Sequence, residues 1–336
     1  MAKAFLLEVF LNAVRGVHGT SGGTKETSYY TAINNVLDGA GHTLKPKVRC
    51  VMQLKNLGAG NPDGGLFTAD QFDRLTSEVK NLGAPARGVI EVKSPGEPVN
   101  DTATTQQISK YWDRYKLVLV TNLRDWLLIG ERQGQCVTLE RFTLAADEAS
   151  FWALTHHPAK TQSAQGEAFE DFLTRVLLHN APLADPKDLA ALLASYAREA
   201  RHRVNAAGEA AIAPLNALKT SLEKALGLTF VGEKGEQFFR STLVQTLFYG
   251  MFAAWVLQHE QSNAQQGKFD WKTAAHSLHV PMVSALFEQL TLPSKLNPSL
   301  SLFRRLRPLA LGKPAWMLGR VEKVKCCAII ICNRWL

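Results

Sequence analysis

The first 150 residues alternate between helical and extended hydrophobic patterns. In the segment 24–37, Tyr29, Ile33 and Val36 are spaced to share one face of a helix, with Thr24 placed as its N-cap. Short β-branched runs predict strands, because branched side chains pack well on a pleated surface. The alternation predicts an α/β fold, a mixed sheet flanked by helices. The predicted strands are 48–54, 88–93, 117–121, 126–129 and 136–139, and further helices are predicted at 71–82 and 105–114.

After residue 145 the extended patterns end, and Ala, Leu, Gln and Glu dominate the chain. Asp185 followed by Pro186 favours a helix start, and Gly227 favours a helix end. We therefore predict an α/β domain over 1–150 and an all-α domain over 151–310. The predicted helices of the second domain are 169–178, 186–206, 215–226, 235–258 and 283–290.

The sequence predicts neither a targeting signal nor a membrane-spanning helix. The N-terminal segment has Glu8 inside its apolar stretch and lacks a small-residue cleavage site, so it predicts an amphipathic helix rather than a targeting signal. The most apolar helix candidate, 243–257, is shorter than the roughly 20 residues that a bilayer span needs. The cysteines show no zinc-binding spacing. Their distribution best fits a reducing compartment. We expect a cytoplasmic protein with no membrane partner.

The net charge of +8 comes from 38 Lys and Arg against 30 Asp and Glu. A basic protein suggests nucleic acid as a partner. Residues 295–336 carry nine basic side chains and one acidic one, so the whole surplus lies there and the rest of the chain is neutral. The tail 311–336 also contains Cys326, Cys327 and Cys332. Its pattern is atypical of either domain, and we expect a frameshift or premature stop near 310–320.

Candidate chemistry lies in the predicted strand 88–93. Side chains alternate on a strand, so Glu91 and Lys93 share one face. Such a pair is often a solvated edge pair, but a carboxylate beside an ammonium also suits phosphodiester hydrolysis. The carboxylate would bind Mg²⁺, and the ammonium would act on the attacking water. Asp63, in a Pro-Asp-Gly turn, is the natural second carboxylate, and Glu26 could supply a third.

These residues follow one another in a specific order of elements. Glu26 with Ser28-Tyr29 stands in a helix, Pro62-Asp63 follows a strand, and Glu91-Val92-Lys93 lies in the next strand. Gln107 and Tyr111 follow on a helix, and an apolar strand ends at 122. Residues 26–122 resemble the PD-(D/E)xK nuclease superfamily. More narrowly, they resemble the N-terminal nuclease domain of single-polypeptide (type IIG/ISP-like) restriction–modification enzymes.

This resemblance implies a Mg²⁺-dependent endonuclease that acts on double-stranded DNA, with Mn²⁺ as a possible substitute. Asp63 and Glu91 would bind the metal, with Glu26 assisting. Lys93 would act on the water. Gln107 and Tyr111 would face the DNA and the metal. The helix-like segment 71–82 departs from the tight hairpin of many relatives.

The helical half also resembles these enzymes. Residues 235–260, with the segments 269–271 and 280–282, are similar to the helical connector that precedes their methyltransferase domain. The intact parent would then carry a methyltransferase or specificity domain, and a transient dimer on DNA is expected for double-strand cleavage.

Two cofactor sites are not predicted in this chain. The glycines before Thr24-Lys25 do not match G-x-x-x-x-G-K-[ST], so no ATP site is expected. Asn61-Pro62 and Asn297-Pro298 lack a second proline, and no Gly-rich loop follows residue 150, so no S-adenosylmethionine site is expected. Two alternatives stay open. The chain could be a truncated, inactive remnant that binds DNA or a partner, or a nuclease of a repair or mobile-element system.

Overall fold

The computed structural model describes residues 5–20, 26–73, 79, 83–132, 134–183, 185–206 and 216–261. The chain divides into two compact units, Met1–Ala181 and Pro182–Leu336. Several predictions lie outside the described residues. These are the Thr24 N-cap, the helix 283–290, the segments 269–271 and 280–282, Asn297-Pro298 and the tail 311–336. The predicted helix 71–82 is wrong where the structure describes it, because Phe72 and Val79 form an antiparallel bridge.

The first unit contains a six-stranded mixed sheet in which the strands lie side by side in chain order. Neighbouring strands are antiparallel, except for the parallel pair β3 and β4. The predicted α/β fold, a mixed sheet with flanking helices, is confirmed. The strands are β1 (Val48–Met52), β2 (Gly64–Thr68), β3 (Val89–Val92), β4 (Val118–Thr121), β5 (Asp125–Arg132) and β6 (Gln135–Thr143).

Helices cover the sheet because their apolar positions repeat at helical spacing. In the first helix, Leu7, Phe10, Leu11 and Val14 form one buried stripe. Helices α1, α2, α5 and α6 build one core, and α4 packs into a second core with β3, β4 and β5. The helices of this unit are α1 (Leu6–Gly19), α2 (Tyr30–Thr43), α3 (Val99–Ala103), α4 (Gln106–Tyr115), α5 (Glu148–Thr155) and α6 (Pro158–Leu177), with a 3-10 turn at Glu26–Tyr29.

Strand β2 is absent from the sequence-based prediction. Its first residues, Gly64 and Gly65, have low strand propensity, yet they pair with β1 and β3. A Cβ atom at Gly64 would lie 2.7 Å from Met52 Sδ, and one at Gly65 would lie 2.5 Å from Leu54 Cδ1. The glycines therefore allow neighbouring side chains to approach the backbone closely.

Helix α6 belongs to the first unit although it follows residue 150. Arg175 Nε donates to Glu140 Oε2 on β6 at 3.2 Å, and both side chains are almost completely buried. Phe169 and Phe172 of the same helix lie in the core shared with α1 and α2. The compact unit consequently extends to Ala181, while the functional division of the chain at residue 150 stays a prediction.

The described part of the second unit is helical, and the predicted helices 186–206, 215–226 and 235–258 are confirmed. The last of the three helices is the longest and buries Phe239, Leu243 and Leu247. Gly227 follows α8 with a φ of 65°, a conformation that favours glycine and ends the helix. The helices are α7 (Pro186–Ala206), α8 (Asn216–Leu226) and α9 (Gly232–Gln261). Within the residues described, no helix combines the length and apolarity needed to cross a membrane.

Candidate active site

Asp63 immediately precedes β2, and Glu91 lies on the neighbouring strand β3 at the same level of the sheet. Gly64 pairs with Ile90 in the antiparallel ladder between β2 and β3, so the next position of that ladder sets Asp63 opposite Glu91. Directly opposite residues on antiparallel strands have Cβ atoms about 4.5–5.5 Å apart. The strand pairing thus brings together two carboxylates that are far apart in the chain.

The Asp63 carboxylate is held by two donors. Its Oδ2 accepts a hydrogen bond from the Val92 backbone N–H at 2.7 Å, and its Oδ1 accepts one from the Tyr30 hydroxyl. Val92 lies on the same strand as Glu91, whereas Tyr30 begins α2. The orientation of Asp63 therefore depends on both the sheet and the helix that packs on it.

Glu91 is almost completely buried, with 3% of its surface exposed. Its Oε1 accepts hydrogen bonds from Lys93 Nζ at 2.9 Å and from Gln107 Nε2 at 3.1 Å. Its Oε2 is buried and has no hydrogen-bond partner. Burial, together with the charge of Asp63, raises the pKa of Glu91 to about 7, against the opposing effect of Lys93. A carboxylate oxygen in this position calls for a positively charged partner, because burying an unpaired charge is costly.

Lys93 extends β3 by one residue, and its backbone N–H donates to Thr121 O at 2.7 Å. Burial alone lowers the pKa of Lys93, but its hydrogen bond to Glu91 and the charges of Glu91, Glu26 and Asp63 outweigh burial. The net pKa is raised, so the side chain is an ammonium at neutral pH. Lys93 can donate hydrogen bonds and stabilise negative charge, but it is not a neutral base.

Gln107 and Tyr111 stand one turn apart on α4. Thr105 caps this helix by accepting a hydrogen bond from the Ile108 N–H at 3.3 Å. The Gln107 amide donates to Glu91 and to the Tyr111 hydroxyl, the latter at 2.9 Å. Gln107 is exposed, whereas Tyr111 is 2% exposed. In the structure Tyr111 therefore supports Gln107 from within the core.

Glu26 begins the 3-10 turn before α2 and is partly exposed. Burial raises its pKa, as do a hydrogen bond to Glu97 and the charges of Glu97 and Asp63, while Lys93 opposes the shift. Glu26 consequently lies within electrostatic range of Asp63 and Lys93. Glu97, whose charge acts on Glu26, is a fourth carboxylate near the site.

Two residues of this cluster were missed by the sequence reasoning. Glu97 follows β3 in a Pro-Gly-Glu segment, and an acidic residue in the loop after a strand with candidate chemistry is a signal that could have identified it. Tyr30 adjoins Tyr29, which is buried beside Trp152 instead. No sequence signal distinguishes the two tyrosines, since helical packing decides which hydroxyl reaches Asp63.

The donor set suits a hard divalent cation that keeps part of its water shell. Among the residues that the structure describes, no group of three or more His, Cys, Asp or Glu side chains is arranged to hold a metal ion. Mg²⁺ is commonly bound by one or two carboxylates, and substrate phosphates and water complete its coordination. Asp63 and the unpartnered Oε2 of Glu91 fit such a site.

A solved structure described as the cryoEM structure of a DrdV–DNA complex is similar to part of this chain. The TM-score is 0.31 and the sequence identity 17%, over 46% of this chain and 94% of that one. No family model matches the chain, and no curated protein matches it. A likeness of this extent supports no conclusion about activity, which has to come from the side chains described above.

Proposed function

We propose that this chain is a metal-dependent DNA endonuclease of the PD-(D/E)xK type. One observation carries the proposal. The buried Glu91 has one oxygen hydrogen-bonded to Lys93 and the other without a partner, and Asp63, which immediately precedes β2, accepts a hydrogen bond from the neighbouring Val92 N–H. Two carboxylates and an ammonium brought together by two adjacent chain segments form an arrangement suited to phosphodiester hydrolysis. The large majority of buried carboxylate oxygens in folded proteins are hydrogen-bonded, so the unpartnered oxygen of Glu91 favours a ligand site over a purely structural ion pair.

The roles of the residues follow from their contacts. Asp63 and Glu91 would hold Mg²⁺ or Mn²⁺, and the Tyr30 and Val92 donors keep Asp63 in place. A bound divalent ion supplies positive charge beside the scissile phosphate. Because its pKa is raised, Lys93 acts as an ammonium that orients the attacking water and stabilises the developing negative charge.

The same proposal includes double-stranded DNA as the substrate and a restriction–modification system as the setting. It also includes a connector role for the helices after residue 150, which would link cleavage to a modification or specificity domain. Pairing of two such nuclease domains on DNA would allow cleavage of both strands, since each domain offers one carboxylate pair.

Plasmid cleavage with Mg²⁺ tests the proposed activity. The whole chain is compared with Asp63→Ala and Lys93→Ala, and with Lys160→Ala as a control that removes an exposed lysine from α6. We expect both site variants to lose at least about 100-fold in nicking rate, because each removes a charge placed for the reaction. The control should nick at the wild-type rate. Equal nicking by all four proteins would remove the assignment.

Metal binding provides a second test that does not depend on cleavage. The melting temperature of the wild type should rise with added Mg²⁺ or Mn²⁺, because a ligand that binds only the folded state stabilises it. Asp63→Asn should lose this response, and Asp113→Asn, which neutralises an exposed acid on α4, should retain it. The absence of a rise in the wild type, or an equal rise in both variants, would contradict the proposed metal site.

A further inference from the structure

A group of two arginines and one histidine lies at the end of the sheet opposite the carboxylates. Glu91 is near the C-terminal end of β3, whereas Arg87 precedes the first residue of that strand. Arg132 ends β5, which runs antiparallel to β4, so it lies at the same end of the sheet as Arg87. His179 follows the last turn of α6. We refer to Arg87, Arg132 and His179 as the basic cluster.

The basic cluster contains hydrogen-bond donors that have no acceptor. Arg87 is 7% exposed, and its Nη1 donates to the His179 backbone oxygen at 3.2 Å. The Nε atoms of Arg87 and Arg132 are both buried and lack a hydrogen-bond partner. Orphaned guanidinium donors are uncommon in folded proteins, because each loses its hydration without compensation.

The direction of Arg132 follows from the alternation of side chains along β5. It shares a sheet face with Leu128, which packs in the same core as Phe169 and Phe172 of α6. Arg132 therefore lies on the face that α6 covers, and His179 stands just beyond the end of α6. Arg87 precedes β3 and Arg132 ends β5, with β4 between these strands, and the charges of both arginines act on His179.

The electrostatics of the cluster are consistent with this arrangement. Burial lowers the pKa of His179 to about 4, and the charges of Arg87 and Arg132 lower it in the same direction. The imidazole is consequently neutral at pH 7. Burial also lowers the pKa of Arg87, which Asp70 partly offsets. The cluster thus holds two guanidinium groups and a neutral imidazole that can donate one further hydrogen bond.

We propose that the basic cluster binds a small free oxyanion of the phosphate class. Guanidinium groups match the oxygens of phosphate in both charge and geometry, and a dianion would accept from the two orphaned Nε–H groups at once. Free phosphate fits better than the backbone of DNA, because a small ion can be enclosed beside the buried Nε of Arg87, whereas a polymer stays on the protein surface. The site is separate from the carboxylates and does not rest on the proposed nuclease function.

Thermal unfolding of the whole chain in EDTA tests the site without any contribution from a bound metal. Inorganic phosphate is compared with chloride at equal ionic strength. At a tenfold excess of phosphate over its Kd, the wild type should show a saturable rise in Tm of about 3–6 °C. Arg132→Gln should lose the rise, whereas Arg141→Gln, which removes an exposed arginine of β6, should keep it. An equal response in both variants, or no response in the wild type, would overturn the proposal.

A second measurement on the unmodified protein guards against a folding defect in the variants. Bound phosphate places negative charge beside His179, so the pKa of its imidazole should rise by at least one unit when followed by NMR. An unchanged titration in saturating phosphate would overturn the proposal. The same measurement with a DNA duplex separates the two sources of phosphate. A shift caused by DNA and absent with free phosphate would assign the cluster to a DNA interface and also overturn it.

Discussion

The hydrogen bond from Tyr30 to Asp63 can be removed without disturbing the packing around it. The Tyr30 ring is 8% exposed and lies in the core with α1 and the sheet. Tyr30→Phe keeps this ring and deletes only the hydroxyl that donates to Asp63 Oδ1. Asp63 then retains a single donor, the Val92 N–H at 2.7 Å. The substitution therefore isolates the contribution of one donor to the orientation of the carboxylate.

The expected loss can be derived from the type of bond and its exposure. A hydrogen bond to a charged group contributes about 1.5–3 kcal/mol, and because Asp63 is partly exposed, we expect the lower end of that range. For a unit of this size, a loss of about 1.5 kcal/mol lowers the Tm by about 3–6 °C. Loss of a group that orients a metal ligand also weakens metal binding, by about 10- to 100-fold.

Tyr115→Phe provides the matched control. Tyr115 is also buried, but its hydroxyl has no hydrogen-bond partner, so its removal should leave stability unchanged or slightly increase it. Thermal unfolding in EDTA measures the first effect, and calorimetric titration with Mg²⁺ measures the second. If Tyr30→Phe were no less stable than Tyr115→Phe and its Kd for Mg²⁺ matched that of the wild type, Tyr30 could not be orienting Asp63.

Three further predictions concern residues outside the candidate active site. Arg175→Met should cost about 3–5 kcal/mol in urea unfolding, because it leaves Glu140 buried without its cation, and adding Glu140→Leu should recover most of the loss. His179 has a pKa of about 4 in the fold, below its ordinary 6.5, so the unfolded chain binds more protons between these values. The free energy of unfolding should therefore fall as the pH drops from 6.5 to 4, by on the order of 3 kcal/mol. In a plot of the urea midpoint of unfolding against pH, His179→Gln should flatten this part of the curve. Gly88→Ala should destabilise by more than about 2 kcal/mol, because φ is 89° there and the new Cβ would lie 2.4 Å from Leu117 O. Gly134→Ala on an open turn with φ of 78° measures the cost of the backbone angle alone, and an equal loss at both positions would contradict the predicted clash.

Local patterns in the sequence were sufficient for most of the secondary structure. The β-branched run around Glu91 predicts a strand, and its alternation predicts that Glu91 and Lys93 share a face. In the structure these side chains are hydrogen-bonded at 2.9 Å. The helices 186–206 and 235–258 could be predicted because their apolar positions repeat at helical spacing over several turns. The structure confirms both helices.

Other features depend on packing between distant segments. Strand β2 has two glycines that weaken any local strand signal, and its place in the sheet depends on close contacts with Met52 and Leu54. Helices α5 and α6 carry the same composition as the helices that follow them, so their membership of the first unit emerges only from their contacts with its core. The roles assigned to Asp63, Glu91 and Lys93 stay predictions for the experiments above.

Residue types and their spacing were enough to predict an α/β fold, because helical and strand periodicity are short-range properties. The order of the elements and the family resemblance singled out the candidate site residues. The strand pairing that sets Asp63 opposite Glu91, the choice of Tyr30 over Tyr29, the unpartnered oxygen of Glu91 and the basic cluster at the other end of the sheet all required the folded structure. These features depend on contacts between residues that are far apart in the chain and on the loss of hydration on burial. The local sequence shows neither the contacts nor the burial.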